Sequence, residues 1–442
     1  MRRLTTRLVF LLAALALSLS ALAQQDVIST AVGGGPNDIP ALDSNLYNPV
    51  SVAADSSGNY YISGYYQNRV FKVSSTGTLT VLAGSGAQGF SGDGVTGGAA
   101  NANLYHPFGI AVDGSGNVYV ADQGNCVVRK IDSTNTINTI AGIGNSCGYS
   151  GDGDKGTAAQ VYNPSGVAAD AFGNLFIADT SNCRIRKLIL STDIISTYAG
   201  NGSCGYAGDT GAATAAEVYE PYGVTVDTTG NLYIADTDNY VVREVTKSSG
   251  KINTIAGNHT YGFLGDGGAA TSAELTSIYQ VAVSGTTVTI GDYNNQRVRQ
   301  FTIGGNITTV AGSGTGGFCG DGSAATSACL NGPSGVAING STIYIADQSN
   351  YRIRKFTVGG DITTVAGNGS YNLPTLLTGE PPSGVVLYYP IGVYGDPSGN
   401  IFVNDTDDYL VRKFVKSSDL VNFFAGTGTA GYTGNGGLAT AA

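Results

Sequence analysis

Charge and several side-chain types are scarce in this 442-residue chain. Lys and Arg number 22 and Asp and Glu 32, about half the charged share of an ordinary soluble protein. There is no Trp, one Met and two His. The basic residues stand singly within a net charge of −10, so no basic patch offers phosphate contacts and nucleic acid is disfavoured as a partner. Two histidines leave little for imidazole catalysis or a histidine-rich metal centre, and neither a cofactor nor a metal is expected. After residue 23 no apolar run approaches the ~20 residues that span a bilayer, so the mature chain carries no expected membrane span. Hydrophobic residues still make up 42%, enough for a core, which argues against disorder. Glycine is plentiful at 66 residues and falls at regular places.

The first segment stands apart from that regularity. Residues 1–23 carry Arg2, Arg3 and Arg7, then an apolar stretch from Leu8 to Leu22, and end in Ala21-Leu22-Ala23 before Gln24. This reads as a secretory signal peptide with a small-x-small cleavage site. The mature protein is expected to be acidic, soluble, and secreted or periplasmic.

One unit then recurs. Pro107-Phe-Gly-Ile-Ala-Val-Asp113, Gly116-Asn-Val-Tyr-Val-Ala-Asp122, Val128-Arg-Lys130 and Ile137-Asn-Thr-Ile-Ala-Gly142 return with starts at Pro49, Pro107, Pro164, Pro221, Ile278, Pro333 and Pro390. Each unit holds four short Val-, Ile-, Tyr- and Thr-rich runs separated by Gly, Asn, Asp and Ser, which predicts four antiparallel strands, a to d. One such sheet cannot bury both faces, whereas a radial stack can. The expected fold is therefore all-β, a seven-bladed β-propeller of four-stranded antiparallel blades. Strand a keeps a small residue at Ala53, Ala111, Ala168, Thr225, Ala282 and Ala337, as crowding at an axis would require, and Tyr394 breaks the row. The Asp-Ser-Ser-Gly-Asn turn at Gly58 and its copies suits a left-handed glycine, and Asn339-Gly340 suits a type I′ hairpin.

The elements Pro-x-Gly-Val-Ala-x-Asp, Gly-Asn-x-Tyr-Ile-Ala-Asp and Asn-x-x-Ile-Arg-Lys resemble the NHL repeat in the long form of secreted bacterial proteins. The resemblance spans residues 27–442. It implies a propeller, and function less narrowly, since propellers of this family bind proteins, RNA or small molecules and some are enzymes.

Comparing the units with one another assigns several rows. Asp122, Asp179, Asp236, Asp292, Asp347 and Asp405 precede Arg129, Arg186, Arg243, Arg299, Arg354 and Arg412 by seven residues, while the first unit has Gly64 and Phe71 instead. Joint presence and joint loss predict a structural ion pair. Asp93, Asp152, Asp209, Asp266 and Asp321 recur in the long d-to-a loops and are read as caps of glycine turns. Repeat phase predicts the disulfides Cys126 to Cys147 and Cys183 to Cys204 within units, and Cys319 to Cys329 is expected to close a loop at the exit of the fifth unit, in keeping with an exported chain.

Two rows are candidate sites. Tyr47, Tyr105, Tyr162, Tyr219 and Tyr388 precede strand a and are expected to ring the channel mouth as ligand-binding surfaces. Beside them the variable row Asn48, His106, Asn163, Glu220, Ser277, Gly332 and Tyr389 marks an individual site. There His106 and Glu220 are an alternative acid–base pair for a lyase or lactone hydrolase. The preferred expectation is a binding or scaffold module for an extracellular protein, peptide or glycan. The organisation reads as a d-like N-terminal strand within 24–48, seven blades over 49–426 and a loop copy at 427–442, with two alternatives for the ends: the N-terminal strand closes the ring as the outer edge of the seventh blade, or the loop copy opens a further, truncated unit.

Overall fold

The computed structural model describes residues 38–369 and, beyond them, residues 417–418 and the strands Pro390–Gly395, Ile401–Asp405, Leu410–Val415 and Leu420–Ala425. The signal segment 1–23, the d-like stretch 27–33, Tyr388 and the loop copy 427–442 lie outside the described residues.

The protein is all-β. Seven sheets each carry four antiparallel strands in the order a-b-c-d, joined by turns and short 3-10 segments. The second sheet shows why these residues make strands. Its members are Pro107–Val112, Val118–Asp122, Val127–Ile131 and Ile137–Ala141. Along strand b, Val118 and Val120 enter the core shared with the first sheet, while Tyr119 and Ala121 enter the core shared with the third. The period of two therefore sends alternate residues into two separate cores, so both classes are apolar.

Six such inter-sheet cores exist among the described residues, and the sixth joins the two ends of the series. Val52, Tyr60, Ile62 and Phe71 of the first sheet pack with Ala337, Tyr344, Ala346 and Ile353 of the sixth. Correspondingly, the strands Pro49–Ala54, Pro107–Val112, Pro164–Ala169, Pro221–Val226, Ile278–Ser284 and Pro333–Asn339 touch in a closed cycle and line one central channel. The small row from Ala53 to Ala337 lies on that wall. One layer nearer the loops the inner strands meet backbone to backbone. A Cβ on Gly109 would strike the carbonyl of Ser165, and one on Gly223 the carbonyl of Tyr279, so glycine sets this spacing. The seventh sheet repeats the blade pattern with its own outer strand, Leu420–Ala425, and is not inserted between the sixth sheet and the first.

The closing seam is made by the N-terminal segment. In the continuous seams the glycine after strand d donates to the first residue of a 3-10 turn in the following loop: Gly200 to Ala213, Gly257 to Ala270, Gly312 to Ala325. The residues before that turn then bridge to strand d of the next sheet, as Ser323–Ala324 do with Asp361–Ile362. At the exit of the sixth sheet, Gly367 instead donates to Ala41 at 2.9 Å and Asn368 to Ser44 at 2.9 Å. Ala41–Asp43 forms the 3-10 turn, and Ile39–Pro40 pairs with Thr78 and Leu79 of the first sheet. Residues 39–44 thus take the place of a connection from sheet six to sheet one.

One turn differs from expectation. The hairpin register pairs Asn339 with Thr342, leaving Gly340 and Ser341 as the loop, and of these only Gly340 has positive φ, at 59°. That is the type II′ pattern, with glycine first, rather than type I′.

Candidate functional site: the channel mouth on the loop face

The b-to-c turns and the long d-to-a loops lie on one face, tied by side chains at the end of each turn. Asn125 Nδ2 donates to the Gly89 carbonyl at 2.6 Å, Asn182 to Gly148 at 2.7 Å and Asn239 to Gly205 at 2.8 Å. The same amides reach the strand-b aspartates.

The arginine row anchors these loops. Arg129 lies fully buried between Asp122, 3.3 Å away, and Asp93 of the preceding loop, 2.6 Å away. Arg186 is held by Asp179 and Asp152, Arg243 by Asp236 and Asp209, Arg299 by Asp292 and Asp266, and Arg354 by Asp347 and Asp321. An aromatic ring from the same loop covers each guanidinium: Phe90 lies 5.1 Å from Arg129 and Tyr206 5.2 Å from Arg243. The expected pair is therefore part of a three-sided clamp, and the loop aspartates do more than cap a turn. Asp93, for instance, also accepts the Thr139 backbone N–H. The strand-b carboxylate has a further task, accepting the backbone N–H of the residue two before strand a, as Asp122 does from Tyr105 at 2.8 Å. Burial pushes Asp122, Asp179, Asp236 and Asp347 up to about 6, against the hydrogen bonds and arginine that favour the charge. These arginines are spent on structure.

The mouth itself is aromatic. Tyr65, Tyr66, Phe108, Tyr222, Tyr279 and Tyr293 line a cavity there, with Gln123, Gln348, Asn48 and Val50. Phe108 of the second sheet, Tyr222 of the fourth and Tyr279 of the fifth meet over the axis. Phe108 stands 5.5 Å from Tyr222 and 6.5 Å from Tyr279, and the two tyrosines are 5.1 Å apart and edge-on. Tyr65 packs on Phe108 at 5.9 Å and Tyr293 on Tyr279 at 5.0 Å. Burial raises the phenol pKa of Tyr222, and neighbouring Glu220 adds to the shift.

The tyrosine row singled out in the sequence stands just outside this cavity. Tyr47 lies 5.1 Å from Tyr66 and Tyr105 4.4 Å from His106, while Tyr162 and Tyr219 are 42% and 40% exposed. They form a rim around the mouth; Tyr388 is outside the described residues. The lining rings come from two rows that repeat reasoning passed over. One follows the unit start: Val50, Phe108, Ser165, Tyr222, Tyr279, Ser334. The other follows strand b: Tyr65, Gln123, Thr180, Thr237, Tyr293, Gln348. Both vary from unit to unit, and that variation was the available signal.

The neighbouring variable row has a backbone explanation. Asn48, His106, Asn163, Glu220 and Gly332 all have φ between 43° and 64°, a left-handed region that suits Asn and Gly and strains His and Glu. His106 stacks on Tyr65 at 4.3 Å, and burial lowers its pKa. Glu220 is raised by burial and by Asp238. Among the described residues no hydrogen bond or ion pair joins His106 to Glu220; each faces its own neighbours.

The three disulfides join Cys126 to Cys147, Cys183 to Cys204 and Cys319 to Cys329. The first two span a b-to-c corner and the loop above it. One unit further on, the same two positions hold Tyr240 and Tyr261, whose rings meet edge-on at 5.3 Å.

Residues 51–147 match the Teneurin NHL domain family. Teneurin-4 of Mus musculus is 28% identical over 381 residues, covering 75% of this chain and 13% of that protein. Teneurin-1 of Gallus gallus is 25% identical over 383 residues with the same coverage. The chain thus spans only a small part of the curated relatives it matches. Among solved structures, a Bacteroides thetaiotaomicron protein described as of unknown function aligns with a TM-score of 0.53 at 17% identity, over 74% of each chain. An auxiliary nutrient binding protein of the same species aligns with a TM-score of 0.52 at 14% identity, over 72% of this chain and 70% of that one. Likenesses at this identity establish the fold alone.

Proposed function

The chain is an NHL-repeat β-propeller protein, and from that premise we propose that it acts outside the cytoplasm as a binding module, taking a ligand or partner group at the aromatic mouth of its channel. The observation that carries this reading is the convergence of Phe108, Tyr222 and Tyr279 from three different sheets. Rings that served only to pack neighbouring blades would lie between adjacent sheets, whereas these reach across the axis and line a concavity open to the loop face. Rigid aromatic surfaces with polar tips, beside the amides of Gln123 and Gln348, suit a peptide, a protein loop or a glycan. The rim tyrosines Tyr47, Tyr105, Tyr162 and Tyr219 extend that surface outward. Three disulfides agree with an oxidising, extracellular or periplasmic setting.

The test is a glycan and peptide binding screen on the mature protein, followed by substitution of the mouth. Tyr222→Ala and Tyr279→Ala should each weaken a captured ligand by about tenfold or more, the loss usual for a buried interface aromatic. Tyr162→Ala and Tyr219→Ala, on the exposed rim, should weaken it less. A ligand whose affinity is indifferent to all four changes binds elsewhere and ends this reading.

A further inference from the structure

Three sheets carry a second arginine, at the start of strand c, held the same way each time. The Arg184 guanidinium lies 3.9 Å from the ring of Tyr149, Arg297 3.8 Å from Phe263 and Arg352 3.7 Å from Phe318. Each donates to an asparagine carbonyl at its own b-to-c corner: Arg184 to Asn182 at 3.2 Å, Arg297 to Asn295 at 2.9 Å and Arg352 to Asn350 at 2.9 Å. A glycine of the loop after strand d leaves room for the group, since a Cβ on Gly202, Gly314 or Gly369 would enter the guanidinium. A corner carbonyl, an aromatic face and a bare backbone thus form a seat for a permanent cation.

The fourth sheet keeps the seat and changes its occupant. Val241 stands at the arginine position, and the loop residue that is glycine in the other three is His259, at φ 67°. The imidazole stacks on Tyr206 at 4.6 Å and 13°, and its Nδ1 lies 3.0 Å from the Asn239 carbonyl. A carbonyl only accepts, so Nδ1 carries the hydrogen. Both contacts are those the arginines make. The charged and titratable groups about the seat are Tyr206 and, at its hydroxyl, Asp209; Arg243, 5.2 Å away on the same ring; Asp236, which the Asn239 amide reaches; and the pair Tyr240 and Tyr261. Arg243 is neutralised by Asp236 and Asp209, and a second cation on such a ring has a precedent in Arg186, which shares Tyr149 with Arg184.

We infer that His259 is a pH-sensitive fastener of the loop face: as an imidazolium it completes the cation seat and ties the loop after the fourth sheet to Tyr206 of the loop before it and to the Asn239 corner, and as a neutral ring it ties them more weakly. Imidazole is the side chain that changes charge between pH 5 and 8. The charge strengthens both the hydrogen bond to the carbonyl and the attraction to the ring face. The loop so tied presents Tyr261 and Leu264, 55% and 67% exposed, so mild acid fixes an apolar part of the loop face.

The readout is solvent exchange of the Thr260 amide, which donates to Asn258 within this loop, corrected for the intrinsic pH dependence of free amides. Asp236, pushed up to about 6 by burial, titrates in the same interval, so the measure is the difference between the native protein and His259→Gln, in which Asp236 is unchanged. Lowering the pH from about 7.5 to about 5.5 should slow Thr260 exchange about two- to fivefold more in the native protein than in that variant, the size of a half-exposed cation–π contact. Tyr206→Leu should remove most of the difference. Val241→Arg combined with His259→Gly restores the arginine seat, and should hold Thr260 at the higher pH as the native chain holds it at the lower. If His259→Gln slows as much as the native protein, if Tyr206→Leu leaves the difference whole, or if the restored arginine leaves Thr260 exchanging fast at the higher pH, the inference is overturned.

Discussion

Five seams of the ring are covalently continuous, and the sixth is closed by residues 39–44 laid against the exit of the last ring sheet. The continuous seams are fastened by buried charge: an arginine, a strand aspartate, a loop aspartate and an aromatic cover. The sixth is fastened by neutral groups. Gly367 and Asn368 donate to Ala41 and Ser44, Tyr60 Oη donates to the Val365 carbonyl at 2.9 Å, and Ser334 Oγ to that of Val50 at 3.0 Å. In the first sheet Phe71 takes the arginine position and is fully buried. Gln67 takes over the other duty of the missing aspartate, accepting the Tyr47 N–H at 3.0 Å and donating to the Asn45 carbonyl at 3.0 Å. The difference follows from desolvation. A buried guanidinium is tolerable only when enough anionic oxygen reaches it, and half of that oxygen comes from a continuous loop. Where that loop is interrupted, both charges are absent and an amide and a phenyl ring replace them.

The largest effect should come from breaking one clamp. Arg243→Met leaves Asp236 buried without its cation and should cost about 3–5 kcal/mol in urea unfolding. Adding Asp236→Gly and exchanging the new residue for Phe reproduces the first-sheet solution at these two positions, and should cost less than the single change. If the pair costs more than Arg243→Met alone, the account of joint loss is wrong.

Leu46 and Leu104 hold corresponding, fully buried positions in the interrupted seam and a continuous one. Truncating either to Ala should cost about 2–5 kcal/mol. Leu46→Ala should also speed amide exchange at Ala41 and Ser44, since no covalent link holds that segment to sheet six; equal exchange in both variants would show the closing segment to be as firmly held as a true loop.

Among the corner fastenings, Cys147→Ser removes a crosslink with a sequence separation of 21. It should lower stability by roughly 2–4 kcal/mol, against roughly 0.5–1.5 kcal/mol for the ring pairing lost in Tyr261→Ala, beyond area burial. A thermal scan of the two variants orders them.

The smallest effect concerns pH. Asp122, Asp179, Asp236 and Asp347 sit near 6 when folded, above the ordinary carboxylate value near 3.8. The folded state then binds more protons between those values, so their contribution is full below about 4 and is lost as pH rises through about 6. Asp55, Asp113 and Asp227 are instead held low, net, by hydrogen bonds that outweigh burial, and their contribution is lost as pH falls below the ordinary value. Thermal stability should therefore peak near pH 4 and decline as pH rises to about 6. In Asp122→Asn the decline above that peak should be shallower; an unchanged slope would remove Asp122 from the account.

Much of this was legible in the residues. Strand order, turn positions, the small row at the axis and the cysteine partners follow from repeat phase, because every contact involved lies within one unit or at the same phase of the next. The mouth was half legible. Repeat phase brings out the tyrosine row before strand a, which stands outside the lining, whereas Phe108, Tyr222 and Tyr279 meet only after three sheets are set around an axis. The loop aspartates read as turn caps for a related reason: Asp209 lies 34 residues before the arginine it binds, and nothing local indicates the encounter.

The sequence alone determined the unit, since four adjacent strands with alternating apolar residues satisfy their hydrogen bonds within about 57 residues and leave two faces to be covered. How many units share one channel was decided by tertiary structure. That depends on how closely the inner strands approach at Gly109, Gly166 and Gly223, and on which distant segment satisfies the backbone donors left at Gly367 and Asn368. Both are meetings between residues far apart in the chain, and their free energy is realised only when the ring is complete.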